Sequence, residues 1–338
     1  MGHRAHHGWL LSAGLVAAPV VVVSWFRAVP APWPPLVVQV VAFTPWLAFL
    51  AAAAVLLALP SRRAWAILPA AILLTAQLTW LFPPEVFLAR QGGYPQVRGP
   101  DAPAAAKLTV MNLNARLGGA DSAAIVRLVR DHHVDLLTVQ EHSPELEKRL
   151  ARADLGSVLP HRVSHPRNGA AGSAVYSSFR LKEVGMVPDT AFSMPVVRLE
   201  TSDPGAGAGA GLTVINVHAH APVDIAVHQW RSDLTAVARA SSGAGPTLLA
   251  GDFNATYDHW EFRAMLEGAG GGRKLVDVAT ALGSRLIPTW PMRDYSLPGV
   301  ALDHLVTSPD ILSSGYSVHP VRGTDHAAVI ATLEIQLP

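Results

Sequence analysis

The sequence has 338 residues and not one cysteine. That absence excludes disulfides and thiolate zinc sites, and it suits an exported domain that does not rely on disulfides. Charge is scarce too: Asp, Glu, Lys and Arg make up 15% of the residues, against 50% hydrophobic. The strongly basic footprint of a duplex-DNA binder is missing. Residues 1–106 carry six Lys/Arg and two Asp/Glu; the remainder carries twenty and twenty-three, so the larger part is slightly acidic.

The missing charges are concentrated in one region. Trp9–Phe26, Leu36–Leu59 and Ala64–Phe82 are runs of 18, 24 and 19 residues without a single Asp, Glu, Lys or Arg. Crossing a bilayer takes roughly 20 apolar residues. Pro19, Pro45 and Pro69 lie inside the runs, which membrane helices tolerate, and Trp9, Trp25, Trp33, Trp65 and Trp80 lie near their ends, where interfacial aromatics belong. A cleaved signal peptide accounts for the first run alone, not for two more directly behind it. Arg4 and the tight Ser61-Arg62-Arg63 turn place the amino terminus in the cytoplasm; Arg27, Arg90 and Arg98 lie on the other side. Three spans then put everything after Phe82 outside the cytoplasm. The expectation is a multi-pass cell-membrane protein whose residues 9–82 contact lipid, with an anchor over 1–82, a Pro/Gly/Ala-rich linker over 83–106 and one large domain over 107–338. No intramembrane charge marks an ion path, so a transporter or channel is a poor reading, and no protein partner is evident.

In the domain, Leu108–Leu113, Val134–Val139, Ser173–Tyr176, Arg180–Val184, Val196–Glu200, Leu212–Val217, Pro246–Ala250, Ala301–Thr307 and Ala327–Ile335 read as strands. Asp121 caps a helix through Asp131, and Ser143-Pro144 opens another. Further helices are expected over Asp224–Ala240 and His259–Glu267, with a flexible Gly/Ala loop at Asp203–Gly211. Interleaved strands and helices, with strands in excess, predict an α/β fold of packed sheets flanked by helices.

The informative pattern lies at the strand ends. "VMNLN" ends in Asn112 and Asn114, "LLTVQEHS" in Gln140-Glu141, "TVINVHAHAP" in His218 and His220, and "LLAGDFNAT" in Asp252 and Asn254. "GVALDHLV" contains Asp303-His304, and "VRGTDHAAV" contains Asp325-His326. Asp252 and Asn254, two apart on an extended segment, share a face, with Phe253 turned into the core; Gly251 permits a sharp turn or a close approach to a ligand. Each end has an ordinary explanation: an Asx turn at Asp252, a turn satisfied by Asn112, a cap from Glu141 or Asp325. Six together point instead to a site. Hard oxygen donors with histidines suit Mg²⁺ or Mn²⁺ rather than zinc, leaving the imidazoles for proton transfer or anion contacts.

With these motifs in this order, residues 107–335 resemble the endonuclease/exonuclease/phosphatase superfamily, which includes DNase I, abasic-site endonucleases, neutral sphingomyelinases and inositol-polyphosphate 5-phosphatases. The chain is similar to actinobacterial members with a membrane-spanning amino terminus. The resemblance implies a DNase I-like four-layer α/β sandwich with the site at one edge of two sheets. It implies that Glu141 is the principal metal carboxylate, with Asn112 beside it and Asp325 close to the metal. Asp252 resembles the residue that orients or deprotonates the attacking water, Asn254 the one that holds the scissile phosphate, and His218 a phosphate-contacting or general-acid histidine. His326 resembles the histidine of the final motif, held in its tautomer by Asp303. Asn114 departs from several nucleases, which carry a charged residue there, and this leaves a second metal position open. No aromatic or basic insert of the kind that grips abasic DNA is present.

The reading is a membrane-anchored, extracytoplasmic, Mg²⁺-dependent phosphoesterase acting on nucleic acid, a phospholipid headgroup or a soluble phosphoester. The alternatives are an extracellular nuclease of the same fold and a catalytically silent binding domain. Between the two neighbouring histidines, His218 is favoured for the site because it adjoins the apolar run that fixes the backbone.

Overall fold

The computed structural model describes residues 2–83, 106–200, 211–292 and 298–335. The expected linker and the Gly/Ala loop fall almost wholly outside these residues. The chain forms two compact units: Met1–Gly93 with Tyr257–Trp260, and Tyr94–Thr256 with Glu261–Pro338.

The first unit contains α1 (Gly2–Ala28), α2 (Pro35–Val41), α3 (Leu47–Ala58) and α4 (Ala64–Leu81). Three stretches, Gly8–Ala28, Thr44–Ser61 and Ala64–Leu81, are long and apolar enough to cross a membrane. The run Leu36–Leu59 is not one helix. Pro45 lacks an N–H and restricts the residue before it, and the chain passes through a short 3-10 turn at Thr44–Trp46 between α2 and α3. Pro19 and Pro69 are accommodated inside α1 and α4. Large apolar side chains such as Leu15, Phe49 and Ile72 are exposed, as expected where lipid is the solvent. Buried Gln77 donates to Ser24 Oγ at 2.7 Å and so ties α4 to α1. Within this unit Arg27 Nε also donates to Asp258 at 2.8 Å.

The second unit is built on two six-stranded sheets. One runs in the order β11 (Ile311–Pro320), β12 (Ala327–Ile335), β1 (Ala106–Asn114), β2 (Leu136–Gln140), β4 (Ser173–Ser177), β3 (His161–His165). The other runs β5 (Arg180–Met186), β6 (Pro195–Glu200), β7 (Gly211–His218), β8 (Thr247–Asp252), β10 (Asp303–Thr307), β9 (Val276–Asp277). Leu108, Val110, Leu136, Leu212, Val214, Leu248 and Ala250 form one buried cluster drawn from both sheets. Met111, Leu113, Leu137 and Val139 point the other way, into a cluster with Ile125 and Val129 of α5 (Ser122–Asp131) and Leu146 and Leu150 of α6 (Pro144–Arg152). Asp121 and Ser143 cap these two helices as expected. On the far face, Trp230 of α7 (Val227–Ala240) is fully buried and bonds to the Phe253 carbonyl at 3.1 Å, while Phe253 packs edge-on against Phe262 of α8 (Trp260–Leu266). The result is the four-layer α/β sandwich.

The period-2 alternation explains why the site lies where it does. The face of β1 that presents Leu108 and Val110 to the opposite sheet next presents Asn112 and Asn114. The same face carries Leu136 then Thr138 and Gln140 on β2, Leu212 and Val214 then Asn216 and His218 on β7, and Leu248 and Ala250 then Asp252 on β8. β1–β2 and β7–β8 are parallel pairs, so all four polar ends reach one edge. β12 and β10 run antiparallel to β1 and β8 and therefore begin at that edge, just after His326 and at Asp303.

Gly251 serves no turn. It sits in β8 opposite Val217, where a Cβ would collide with the Val217 backbone. Three strands, β3, β9 and β11, escape the sequence pattern.

Candidate active site

Asn112 lies beneath the site. Its Oδ1 accepts from Thr138 Oγ1 and Gln140 Nε2, both at 2.8 Å, and Gln140 Nε2 also donates to Asn216 Oδ1 at 2.6 Å across to the other sheet. Asn216 in turn donates to the Val139 and Ala174 carbonyls. The direct partner of the expected metal carboxylate is instead Asn114. Its Nδ2 donates to Glu141 Oε1 at 3.2 Å and to Asp252 Oδ2 at 3.0 Å, and its Oδ1 accepts from the Arg116 amide.

Glu141 directly follows β2 with a φ of 54°, and Asn254 follows β8 with a φ of 46°. Left-handed backbone at such residues costs on the order of 1–3 kcal/mol and persists only where surrounding bonds enforce it. For Glu141 those bonds come from Asn114 and from the Leu117 amide, 2.6 Å from Oε2. For Asn254, Asp252 Oδ1 accepts its amide at 2.8 Å in an Asx turn, and its own Nδ2 donates to the Ala219 carbonyl at 2.9 Å. The Asx turn and the site are therefore one structure: Asp252 uses one oxygen for the turn and turns the other toward Asn114.

Asp303 lies directly opposite Asp252 in the β8–β10 pairing. Its Oδ2 is 2.9 Å from His326 Nδ1, while its buried Oδ1 has no partner among the described residues. His326 Nε2 faces Asp252 Oδ2 at 3.9 Å. Thr324 braces the loop, accepting from the His326 amide and donating to the Asn114 carbonyl at 2.8 Å. Asp325 turns aside: Trp290 Nε1 bonds to its Oδ2 at 3.2 Å and Arg116 Nε stands 3.7 Å from its Oδ1.

His218 is buried, with Nε2 3.8 Å from Glu141 Oε1 and its ring stacked on Phe192. His220 is partly exposed; its backbone amide donates to buried Asp233 and its Nδ1 faces the Ala221 carbonyl. His304 belongs elsewhere, between Asp277 at 3.0 Å and the Ala255 carbonyl at 2.8 Å. Asn216, Phe192, Asp233, Trp290 and Thr324 were not anticipated. Asn216 had a signal: it is two residues before His218, on the same face.

The electrostatics separate the histidines. Burial, reinforced by the charge on His326, holds His218 at about 3, so its imidazole is neutral. For His326 burial works against the charge, but Asp303 and Asp252 outweigh it and raise its pKa. Burial and the neighbouring Asp303 raise Asp252.

Asp252, Asp303 and His326 each offer a ligand atom, all within 4.8 Å of one another. This group could hold a divalent cation, and the unpartnered Asp303 oxygen is one that a cation or a proton would satisfy.

An edge of a two-sheet sandwich that gathers carboxylates, carboxamides and an Asp–His pair defines a class of hydrolase-like sites, and the sequence assigns the chain within it. Residues 111–326 match the model of the Endonuclease/Exonuclease/phosphatase family, and the chain belongs to that family. The fold is shared with D. rerio TDP2 complexed with single strand DNA product (TM-score 0.53, 16% identity, 68% of this chain and 99% of that one). It is shared also with an endonuclease/exonuclease/phosphatase family protein from Bacteroides thetaiotaomicron (0.51, 16%, 69% and 100%). A third likeness is the endonuclease/exonuclease/phosphatase from Beutenbergia cavernae (0.50, 19%, 68% and 72%). Comparison with curated protein sequences gives no match.

Proposed function

We propose that this protein is a membrane-anchored, divalent-metal-dependent phosphoesterase whose catalytic domain, residues 107–338, works outside the cytoplasm. The observation that carries the reading is the Asp303–His326 pair set against Asp252, which is itself bridged through Asn114 to Glu141. Family membership agrees with it.

Hydrolysis of a phosphate ester requires an activated water, stabilised non-bridging oxygens and a proton for the leaving oxygen. Asp252, raised by burial, takes the proton of the attacking water as the new P–O bond forms. His326, kept charged by Asp303, supplies a proton to the departing oxygen as the old P–O bond breaks. Asn254 and neutral His218 hold phosphate oxygens. Glu141 is the most solvent-accessible of these carboxylates, at 15% against 2% for Asp252, and it is our first choice to hold Mg²⁺ or Mn²⁺, while Asp325 is engaged by Trp290 and Arg116. That ion, when bound, supplies charge to the non-bridging oxygens.

The substrate is a phosphate ester: nucleic acid, a phospholipid headgroup or a soluble ester. A nuclease is the second reading, since one structure of similar fold is a complex with single-stranded DNA product. The test uses the full chain in detergent with Mg²⁺ against DNA, RNA, phospholipids and a bis-aryl phosphodiester. No hydrolysis of any of them overturns the enzyme reading. An extracytoplasmic reporter fused after Pro338 should be active; activity of a cytoplasm-only reporter there overturns the orientation.

A further inference from the structure

Beside the site lies a hollow of about 470 Å³ lined by Arg167, Met186, Val187, Asp189, Phe192 and Ser193 among others, a size within the ordinary range for ligand pockets. Its Phe192 wall is also a wall of the site. The ring lies nearly parallel to His218 (centroids 4.4 Å apart, 22° between planes) and to His220 (5.2 Å, 14°).

The loop that presents Phe192 is built rather than incidental. The Val187 amide closes it on the Met194 carbonyl at 3.0 Å, and Thr190 Oγ1 donates across it to the Phe192 carbonyl. Buried Asp233 then locks it to β7: one oxygen accepts the Ala191 amide at 3.3 Å, the other the His220 amide at 2.8 Å. Ring and strand end are thus fixed by the same carboxylate.

Across the hollow, Arg167 is anchored by its backbone amide to the carbonyl of His142, the residue after Glu141. Its side chain is exposed, and among the described residues the guanidinium has no hydrogen bond or ion pair. A guanidinium and an aromatic ring lining one hollow, with a carboxylate at Asp189, match a flat ring carrying polar hydrogens and a second anion.

We propose that this hollow is a specificity subsite for a phosphodiester with a heteroaromatic ring on one side of the scissile phosphate and a second phosphate beyond it, a short single-stranded oligonucleotide being the matching chemistry. Phe192 takes the ring and Arg167 the second phosphate. The inference rests on the phosphoesterase reading above and narrows its substrate. A phospholipid headgroup without a ring gains nothing from Phe192.

The experiment compares full-length protein in nanodiscs with Phe192→Leu and Arg167→Gln on three substrates: a nucleoside 5′-aryl phosphodiester, a 5′-phosphorylated dinucleotide and glycerophosphocholine. Stacking is worth roughly 1–3 kcal/mol per base, so Phe192→Leu should lower the kcat/KM ratio of ring-bearing to ring-free substrate about tenfold, chiefly through KM. Arg167→Gln should penalise the dinucleotide against the singly charged diester. Binding of a fluorescent 5′-phosphorylated dinucleotide in EDTA should weaken in both variants. Equal losses on all three substrates, or unchanged ratios, overturn the subsite, as does preference of the unaltered protein for the ring-free ester. Absence of all hydrolysis with retained, Phe192-dependent dinucleotide binding overturns the enzyme reading and upholds the subsite.

Discussion

Asn114 and Asp252 stand on different sheets, yet the amide of one donates to the carboxylate of the other at 3.0 Å. The same nitrogen reaches Glu141 at 3.2 Å. One neutral donor therefore spans two carboxylates that would otherwise repel. Asn114→Asp removes the donor and adds a third negative charge, which favours the protonated form of Asp252. The acid limb of the pH–rate profile should move to higher pH. An unmoved limb would dissociate Asn114 from Asp252.

Metal dependence is checked directly. EDTA should abolish hydrolysis, and Mg²⁺ or Mn²⁺ should restore it. Glu141→Gln should raise the concentration needed for half-activation. If Asp303→Asn does so and Glu141→Gln does not, the ion belongs with Asp252, Asp303 and His326 instead.

The Asp303–His326 pair should act as a unit. His326→Ala and Asp303→Asn should each reduce kcat by about 10²-fold or more, the scale of lost acid–base assistance. The double variant should lose little beyond the worse single one. Multiplicative losses would mean that the two residues work independently.

His218→Ala should reduce kcat far more than His220→Ala. The first is buried near Glu141, whereas the second is partly exposed with its backbone tied to Asp233. The opposite order would refute the assignment at this strand end.

The buried Asp277–His304 pair contributes pH-dependent stability. Burial works against the His304 charge, but Asp277 outweighs it and raises the pKa above its ordinary 6.5. Burial likewise opposes the Asp277 charge, but His304 and Thr280 outweigh it and lower the pKa below 3.8. The His304 contribution is complete below 6.5 and lost as pH rises through the folded value; that of Asp277 is present above 3.8 and lost as pH falls through its folded value. The pair is therefore strongest between the two ordinary values. His304→Leu leaves a buried carboxylate unpaired and should destabilise by about 3–5 kcal/mol. The thermal-unfolding midpoint should fall most near pH 5 to 6, and an equal loss at about pH 9 would contradict the linkage.

The strand ends were legible because apolar residues on one face give way abruptly to polar ones, and the two helix caps because Asp121 and Ser143 precede regular apolar spacing. The missed strands lack that contrast. β3 is "HRVSH", β11 is broken by Ser313, Ser314 and Gly315, and β9 is two residues long. The sequence pattern also could not rank Asn112 against Asn114. They share a face, and only the stacking of the second sheet over the first decides which lies deep and which meets Asp252. Phe192 comes from a loop with no period to read, held beside His218 in part by the hydrogen bonds of Asp233.

The bond between Gln140 and Asn216 makes the seam of the sandwich a keyed joint. Apolar contact is non-directional, so a seam of Leu and Val alone would fix the register of the sheets by shape only. Here a slide would strand buried amides, each at about 1–3 kcal/mol. The spacing between the half-site on β1 and β2 and the half-site on β8 and β10 is thus set by the interior, below the reach of solvent. That spacing does not depend on the loops at the mouth.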